Sequence, residues 1–122
     1  EGERLTHSHP IVAGKRSVIK VASYGGSALR GDGYTNILKL SDHAMNVSRN
    51  WLGVQGGPEG SGNSQGLAGF YGDGRIAAFG DSNGFAAMVF EDDVSEDFVG
   101  MNDEAYDWRN FVLNTFDWLS GS

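Results

Sequence analysis

The chain contains no cysteine. That excludes disulfides, thiolate metal sites and a cysteine nucleophile, while leaving the compartment open. Basic residues are scarce, with nine Lys and Arg against 16 Asp and Glu and a formal net charge of −7. A polyanion-binding protein needs a basic footprint, so neither nucleic acid nor an anionic membrane surface is an expected partner. No apolar run approaches the length of a membrane span. No signal segment is visible, though a processed chain would have lost one. The chain reads either as a single α/β domain over residues 1–122 or as the C-terminal fragment of a larger domain.

What is present is enough to fold. The 122 residues are 39% hydrophobic and include seven Phe, four Tyr and three Trp, which sets the chain apart from disordered acidic tails. Glycine is the outlier at 19 residues, so unusual backbone angles must carry part of the structure. The segment from His9 to Gly14 reads as a turn, because the residue before proline avoids the α region. Val18–Tyr24, "VIKVASY", reads as a strand ending at Gly25-Gly26, and Tyr34–Leu40, "YTNILKL", as a second. His43 to Leu52 fits either a short helix or an irregular edge. Residues 53–74 hold nine glycines and read as one long loop, with Leu67–Tyr71 a short strand at its end. Gly72-Asp73-Gly74 turns the chain into Arg75–Phe79, a continuous apolar run of the buried-strand kind. Phe85 to Phe90 is a further short element. Asp103–Leu119 carries apolar residues at helical spacing, with Asn102 or Asp103 as cap and Gly121 as stop. Trp108 and Trp118 lie roughly 280° apart around such a helix, so they are not expected to face the same core centre, and one is expected to be exposed or at an interface.

The pivotal stretch is "GRIAAFGDSNGF", Gly74 to Phe85. Gly80-Asp81-Ser82 resembles the first block of the hydrolases named for a Gly-Asp-Ser-Leu motif, whose serine is the nucleophile. Gly100-Met101-Asn102-Asp103 resembles their Gly-x-Asn-Asp block, whose asparagine helps form the oxyanion hole. The resemblance implies Ser82 and Asn102 as catalytic residues. Mechanism opposes it. A serine needs a base, normally histidine, and no histidine follows His43. Where that family has Asp-x-x-His, this chain has Asp107-Trp108-Arg109-Asn110. The plainer reading is that Asp81 and Ser82 turn the chain and cap the next element.

A second resemblance covers residues 7 to 121. "HPIVAG", "YGGSAL", "ILKLSDHAM", "YGDGRIAAFGDSNGF" and "RNFVLNTFDWLSG" follow one another as in the C-terminal half of glutamine-amidotransferase-like α/β domains that have lost the catalytic cysteine. Such domains occur in gliding and transport-associated proteins and beside site-one-protease-like subtilase domains. Their ending is a strand, Gly-Asp-Ser, a loop, Asn-Arg-x-Phe-x-x-Asn and a Trp-Leu helix. Here Trp108-Arg109-Asn110-Phe111, Asn114 and Trp118-Leu119 stand in that place. The chain departs from the family in its glycine-rich segment and in the acidic insertion after Phe90. The resemblance implies a small mixed sheet with a C-terminal amphipathic helix, a flavodoxin-like half-domain. It also implies an extracellular or periplasmic accessory role without catalysis. Gly80, Asp81, Ser82 and Asn83 would then sit at the carboxyl end of a central strand, where open α/β sheets place ligand crevices. With the front half missing, the sheet would have an uncovered edge. The expected partner is another polypeptide, either the N-terminal part of its own precursor or a second copy.

Other candidates are weaker. Asp92, Asp93, Glu96 and Asp97, with Glu91, offer oxygen ligands for calcium but lack EF-hand spacing, and a solvated acidic loop is the alternative. His7 and His9 are spaced to share a transition metal with His43 or a carboxylate, against an exposed polar terminus. Asn46-Val47-Ser48 fits a glycosylation acceptor. The tail aromatics and the glycine-rich segment leave a small-ligand or carbohydrate-binding module as a third reading.

Overall fold

A computed structural model of the chain describes residues 5–41, 44–50, 53–59 and 64–121, with 45–50 and 53–59 as backbone. Seven strands precede one helix: β1 Thr35–Lys39, β2 Met45–Asn50, β3 Gly53–Glu59, β4 Ser64–Tyr71, β5 Gly74–Phe79, β6 Ala87–Glu91, β7 Glu96–Gly100 and α1 Trp108–Leu119. They form a three-stranded sheet in the order β1-β4-β5 and two hairpins, β2-β3 and β6-β7. The content is therefore mixed α and β. All four described strand pairs run antiparallel, so the small mixed sheet expected from the sequence is not what these strands form. Parallel pairing needs a crossover of a dozen or more residues. Instead β5 returns alongside β4 through a two-residue turn, with Gly72 at φ 59°.

The helix packs where its apolar stripe predicts. Trp108, Phe111, Val112, Thr115 and Trp118 are buried, and Phe111 is fully so. Around Phe111 stand Trp108 at 5.3 Å, Phe79 of β5 at 5.6 Å and Phe85 at 6.3 Å between ring centroids, all near edge-to-face, the arrangement that aromatic quadrupoles favour. Leu5, Ile11, Val12, Val18, Ile37 and Ala68 complete the core. One buried polar side chain, Asn114, ties the turn at residues 9–16 to the helix. Its Nδ2 donates to the Ile11 and Arg16 carbonyls, and its Oδ1 accepts the Arg16 N–H. Trp108 and Trp118 are both buried, at 2% and 6% exposure, so the expectation that one is exposed fails, while they do face different neighbours. Separate elements cover them: Phe85 lies against Trp108, while His9 and Phe70 lie against Trp118.

Three expectations change. The glycine-rich segment is not a loop, since most of it lies in β3 and β4. In β4, a Cβ at Gly66 would fall 3.1 Å from the Phe79 ring and one at Gly69 2.5 Å from the Tyr34 ring. At these two positions in β4, glycine admits an aromatic ring without breaking the strand. Val18–Tyr24 enters no ladder. The helix starts at Trp108 rather than Asp103. Residues 101–106 are taken up in turns in which Asp103 accepts the Ala105 N–H, and neither Asn102 nor Asp103 is the cap. The segment around His9-Pro10 and the Gly121 stop at φ 81° do lie in turns as expected. Asn46-Val47-Ser48 falls in β2.

Phe111→Ala should cost about 3–5 kcal/mol in urea unfolding, whereas Phe116→Ala, at 60% exposure, should stay within about 0.5 kcal/mol. A second prediction concerns pH. Burial lowers the His9 pKa, and its Nδ1 accepts the Ile11 N–H, so the folded state prefers neutral imidazole. The unfolded chain then takes up the proton first, and stability should fall as pH drops below about 6.5. The fall should end at the lower, folded pKa. His9→Asn, which keeps an acceptor without the titration, should remove that part of the slope in pH-dependent melts.

Candidate functional site

The stretch from Gly80 to Asn83 is built where β5 leaves its ladder. The Gly80 N–H donates to the Gln65 carbonyl and its own carbonyl accepts the Ser27 N–H, each at 2.9 Å. The two chains cross so closely that a Cβ on Gly80 would lie 1.9 Å from the Ser27 carbonyl oxygen, and one on Gly26 2.2 Å from that of Gly80. Only glycine fits such a crossing. Asp81 follows, 5% exposed. Its Oδ2 accepts the Tyr24 N–H at 2.6 Å and the Ser23 hydroxyl at 3.4 Å, and its Oδ1 accepts the Asn83 N–H at 3.0 Å. The two main-chain N–H bonds carry the contact, since the Ser23 hydroxyl bond is long at 3.4 Å and that hydroxyl also reaches the Gly25 carbonyl at 3.0 Å. Ser82 is exposed and precedes a single 3₁₀ turn, Asn83–Phe85, without a side-chain cap bond. Gly84 lies under the Trp108 ring.

Tyr24 joins this stretch to the second motif. Its hydroxyl donates to Asp103 Oδ2 at 3.4 Å and accepts the Gly100 N–H at 3.2 Å. Burial raises its pKa, with the Gly100 N–H opposing and the Asp103 charge adding to the rise, so the phenol remains a donor. Gly100, at φ 72°, sits against the Asn83 and Ala86 carbonyls, where a Cβ would come within 2.4 Å and 2.2 Å. The structure thus brings Gly80–Asn83 beside Gly100–Asp103. Asn102 lies in the turn closed by the Asp103 N–H on the Gly100 carbonyl.

What it does not bring, among the described residues, is a histidine base. His9 packs on Trp118, whereas the residues around Ser82 pack on Trp108. Ten helical residues separate the two tryptophans by about 15 Å. His7 lies two residues from His9, and His43 lies outside the described residues. Among the described residues, the Ser82 hydroxyl has no histidine at hand to take its proton.

The metal candidates separate as well. Among the described residues no three His, Asp or Glu side chains are grouped to hold an ion. The acidic run forms the exposed tip of the β6-β7 hairpin, with Asp92 and Asp93 in its loop and Glu91, Glu96 and Asp97 in the flanking strands. Glu91 and Glu96 are paired, while Asp97 pairs with Phe90 on the alternate face, so the carboxylates diverge. Asp92 accepts the Val94 and Ser95 N–H groups at 2.8 and 2.7 Å, which lowers its pKa. Among the described residues no helix is long and apolar enough to cross a membrane.

Two residues that carry the site escape the motif reading. Tyr24 belongs to a strand-like pattern, and Asp107 stands only in an incomplete Asp-x-x-His block. Asp107 Oδ2 accepts the Ile19 and Lys20 N–H groups at 2.8 and 3.0 Å, and its N–H donates to the Lys20 carbonyl. Beside Val21 and Ser23 lies an open pocket of ≈ 330 Å³, walled also by Leu5, Leu38, Leu40 and Trp108. No known family, curated protein or solved structure matches the chain.

The two neighbours should respond differently to mutation. Asp81→Ala leaves the half-buried Tyr24 and Asn83 N–H groups without their partner and should cost about 1–2 kcal/mol in urea melts. Ser82→Ala should change stability by less than about 0.5 kcal/mol.

Proposed function

We propose that the chain is a non-catalytic accessory or assembly domain of a larger exported protein, of the glutamine-amidotransferase-like, flavodoxin-like half-domain type, with an association with a subtilase as one setting. The observation that carries this reading is the engagement of Asp81. Both of its oxygens hold main chain, at Tyr24 and Asn83, so the Gly-Asp-Ser stretch acts as a structural joint. The tail motif reads the same way, since Asn114 is occupied by the Ile11 and Arg16 carbonyls. A joint of this kind favours a scaffold that presents surfaces rather than one that performs chemistry.

The second reading is a serine hydrolase using Ser82 and Asn102. It is favoured by one observation, the approach of Gly100 to the Asn83 carbonyl, which sets the two hydrolase-like blocks side by side. It lacks an activating base among the described residues. A small-ligand or carbohydrate module remains the third reading, resting on the pocket beside Val21.

Incubation of the chain with a fluorophosphonate probe separates the first two readings. The accessory reading predicts no adduct on Ser82 by mass spectrometry. Stoichiometric labelling, abolished by Ser82→Ala, would establish an activated serine and overturn it.

A further inference from the structure

The β6-β7 hairpin is a sheet of two strands, and such a ribbon is marginal in water without a third strand or a packed face. Among the described residues, neither strand sends a side chain into the core. Val89, Phe90 and Phe98 are each about half exposed, and Val94 at the tip is almost wholly so. Val89 pairs with Phe98 on one face and Phe90 with Asp97 on the other, since side chains alternate along a strand. Apolar surface therefore meets water on both faces. The register also fixes which main-chain groups point outward. The Met101 N–H donates to the Ala86 carbonyl at 2.7 Å, and the Asp92 N–H to the Ser95 carbonyl at 2.9 Å. Bonded and non-bonded pairs alternate in an antiparallel ladder. Met88–Val99 and Phe90–Asp97 are therefore the bonded pairs, while Ala87–Gly100, Val89–Phe98 and Glu91–Glu96 turn their groups outward. The Gly100 N–H agrees, donating outward to the Tyr24 hydroxyl at 3.2 Å. That contact covers the base of the β7 edge. Along β6, no hydrogen bond among the described residues reaches the outward groups of Ala87, Val89 and Glu91.

We propose that the β6 edge of this hairpin receives an extended, basic segment of a separate polypeptide as a third strand. Edge addition satisfies the outward main-chain groups and reaches both faces at once, which a ligand lying on one face does not. Val89 and Phe90, on opposite faces, call for apolar residues at consecutive central positions of the segment. Charge decides what flanks them. Glu91, Asp92, Asp93, Glu96 and Asp97 crowd the tip, and no Lys, Arg or His lies between Arg75 and Arg109. Among the described residues both ion pairs are made by Asp117, with Lys15 and Arg16. The hairpin's carboxylates are thus uncompensated, and they favour Lys or Arg in the strand laid beside them. A second copy is disfavoured, because it carries the same net charge of −7 and its own β6 has no basic residue to offer. The inference rests on the accessory reading and names its partner chemistry.

The test uses the isotopically labelled 122-residue chain and a synthetic peptide with a central run of Val and Ile between lysines. The Ala87, Val89 and Glu91 amide resonances should shift, with exchange at Val89 slowed about tenfold or more. Both effects should weaken when salt is raised from about 0.02 M to about 0.5 M. The same peptide with glutamates in place of its lysines, or with two central prolines, should have no effect. In the protein, Val89→Pro removes an outward N–H that the ladder does not use and should abolish the response. As a second variant, Glu91→Lys combined with Asp97→Lys should abolish it while retaining the thermal melt of the unaltered chain. The proposal is overturned if the Val89 amide does not move at millimolar peptide, or if the glutamate or proline peptide moves it equally. It is overturned too if the Phe98 amide is slowed in its place, or if both variants respond like the unaltered chain. Movement of the hairpin amides on concentrating the chain alone, with dimer mass in light scattering, would also overturn it. Ser82 labelling is read independently, so failure at the hairpin leaves the question of catalysis separately decided.

Discussion

Two carboxylates hold this fold together where a sheet would ordinarily do so. Residues 18–24 have the β-branched composition of a strand yet no ladder. A chain in that position needs partners for its backbone polar groups. Asp107 supplies them at Ile19 and Lys20, and Asp81 at Tyr24. Asp107 sits at the N-terminus of α1, and its side chain makes no cap bond within its own helix. Instead it grips Ile19 and Lys20, while its N–H returns to the Lys20 carbonyl. The start of the helix and the path of the segment are therefore one decision. With Trp108 Nε1 on the Ala22 carbonyl, the aromatic core inherits its position from the same contact.

The glycines serve this arrangement through close approach. Gly26 and Gly80 let the segment cross the end of β5, and Gly100 lets the second motif lean on Asn83 and Ala86. Asp81 lies at that crossing, where both of its oxygens hold main chain, and among the described residues no histidine stands beside the neighbouring, solvent-exposed serine. Motif spacing is shared by a joint and a catalytic elbow. In this chain the aspartate's oxygens hold the Tyr24 and Asn83 main chain.

Much of this was legible in the chain, and the misses have physical reasons. Thr35–Lys39 and Gly74–Phe79 follow from composition and the Gly72-Asp73 turn, and α1 from its apolar stripe. The helix start was not legible, because Asn102, Asp103 and Asp107 are all good caps and the choice falls to a segment far upstream in the chain. Residues 53–74 looked like a loop because glycine usually breaks strands. In β4 the glycines at 66 and 69 lie against the rings of Phe79 and Tyr34, and the Tyr34 ring lies far outside any local window. The carboxylate clamp on residues 18–24 was hidden for the same reason: both aspartates act far from their neighbours in sequence.

Amide hydrogen exchange along residues 18–24 of the unliganded chain tests the clamp most directly. Tyr24, held by buried Asp81, should be clearly protected, as should Lys20, and both should lose protection in Asp81→Ala and Asp107→Ala respectively. Val21 and Ser23 should exchange close to free-chain rates. Uniform protection from Ile19 to Tyr24, surviving both substitutions, would mean that the segment is paired in a sheet and that the carboxylates do not hold it.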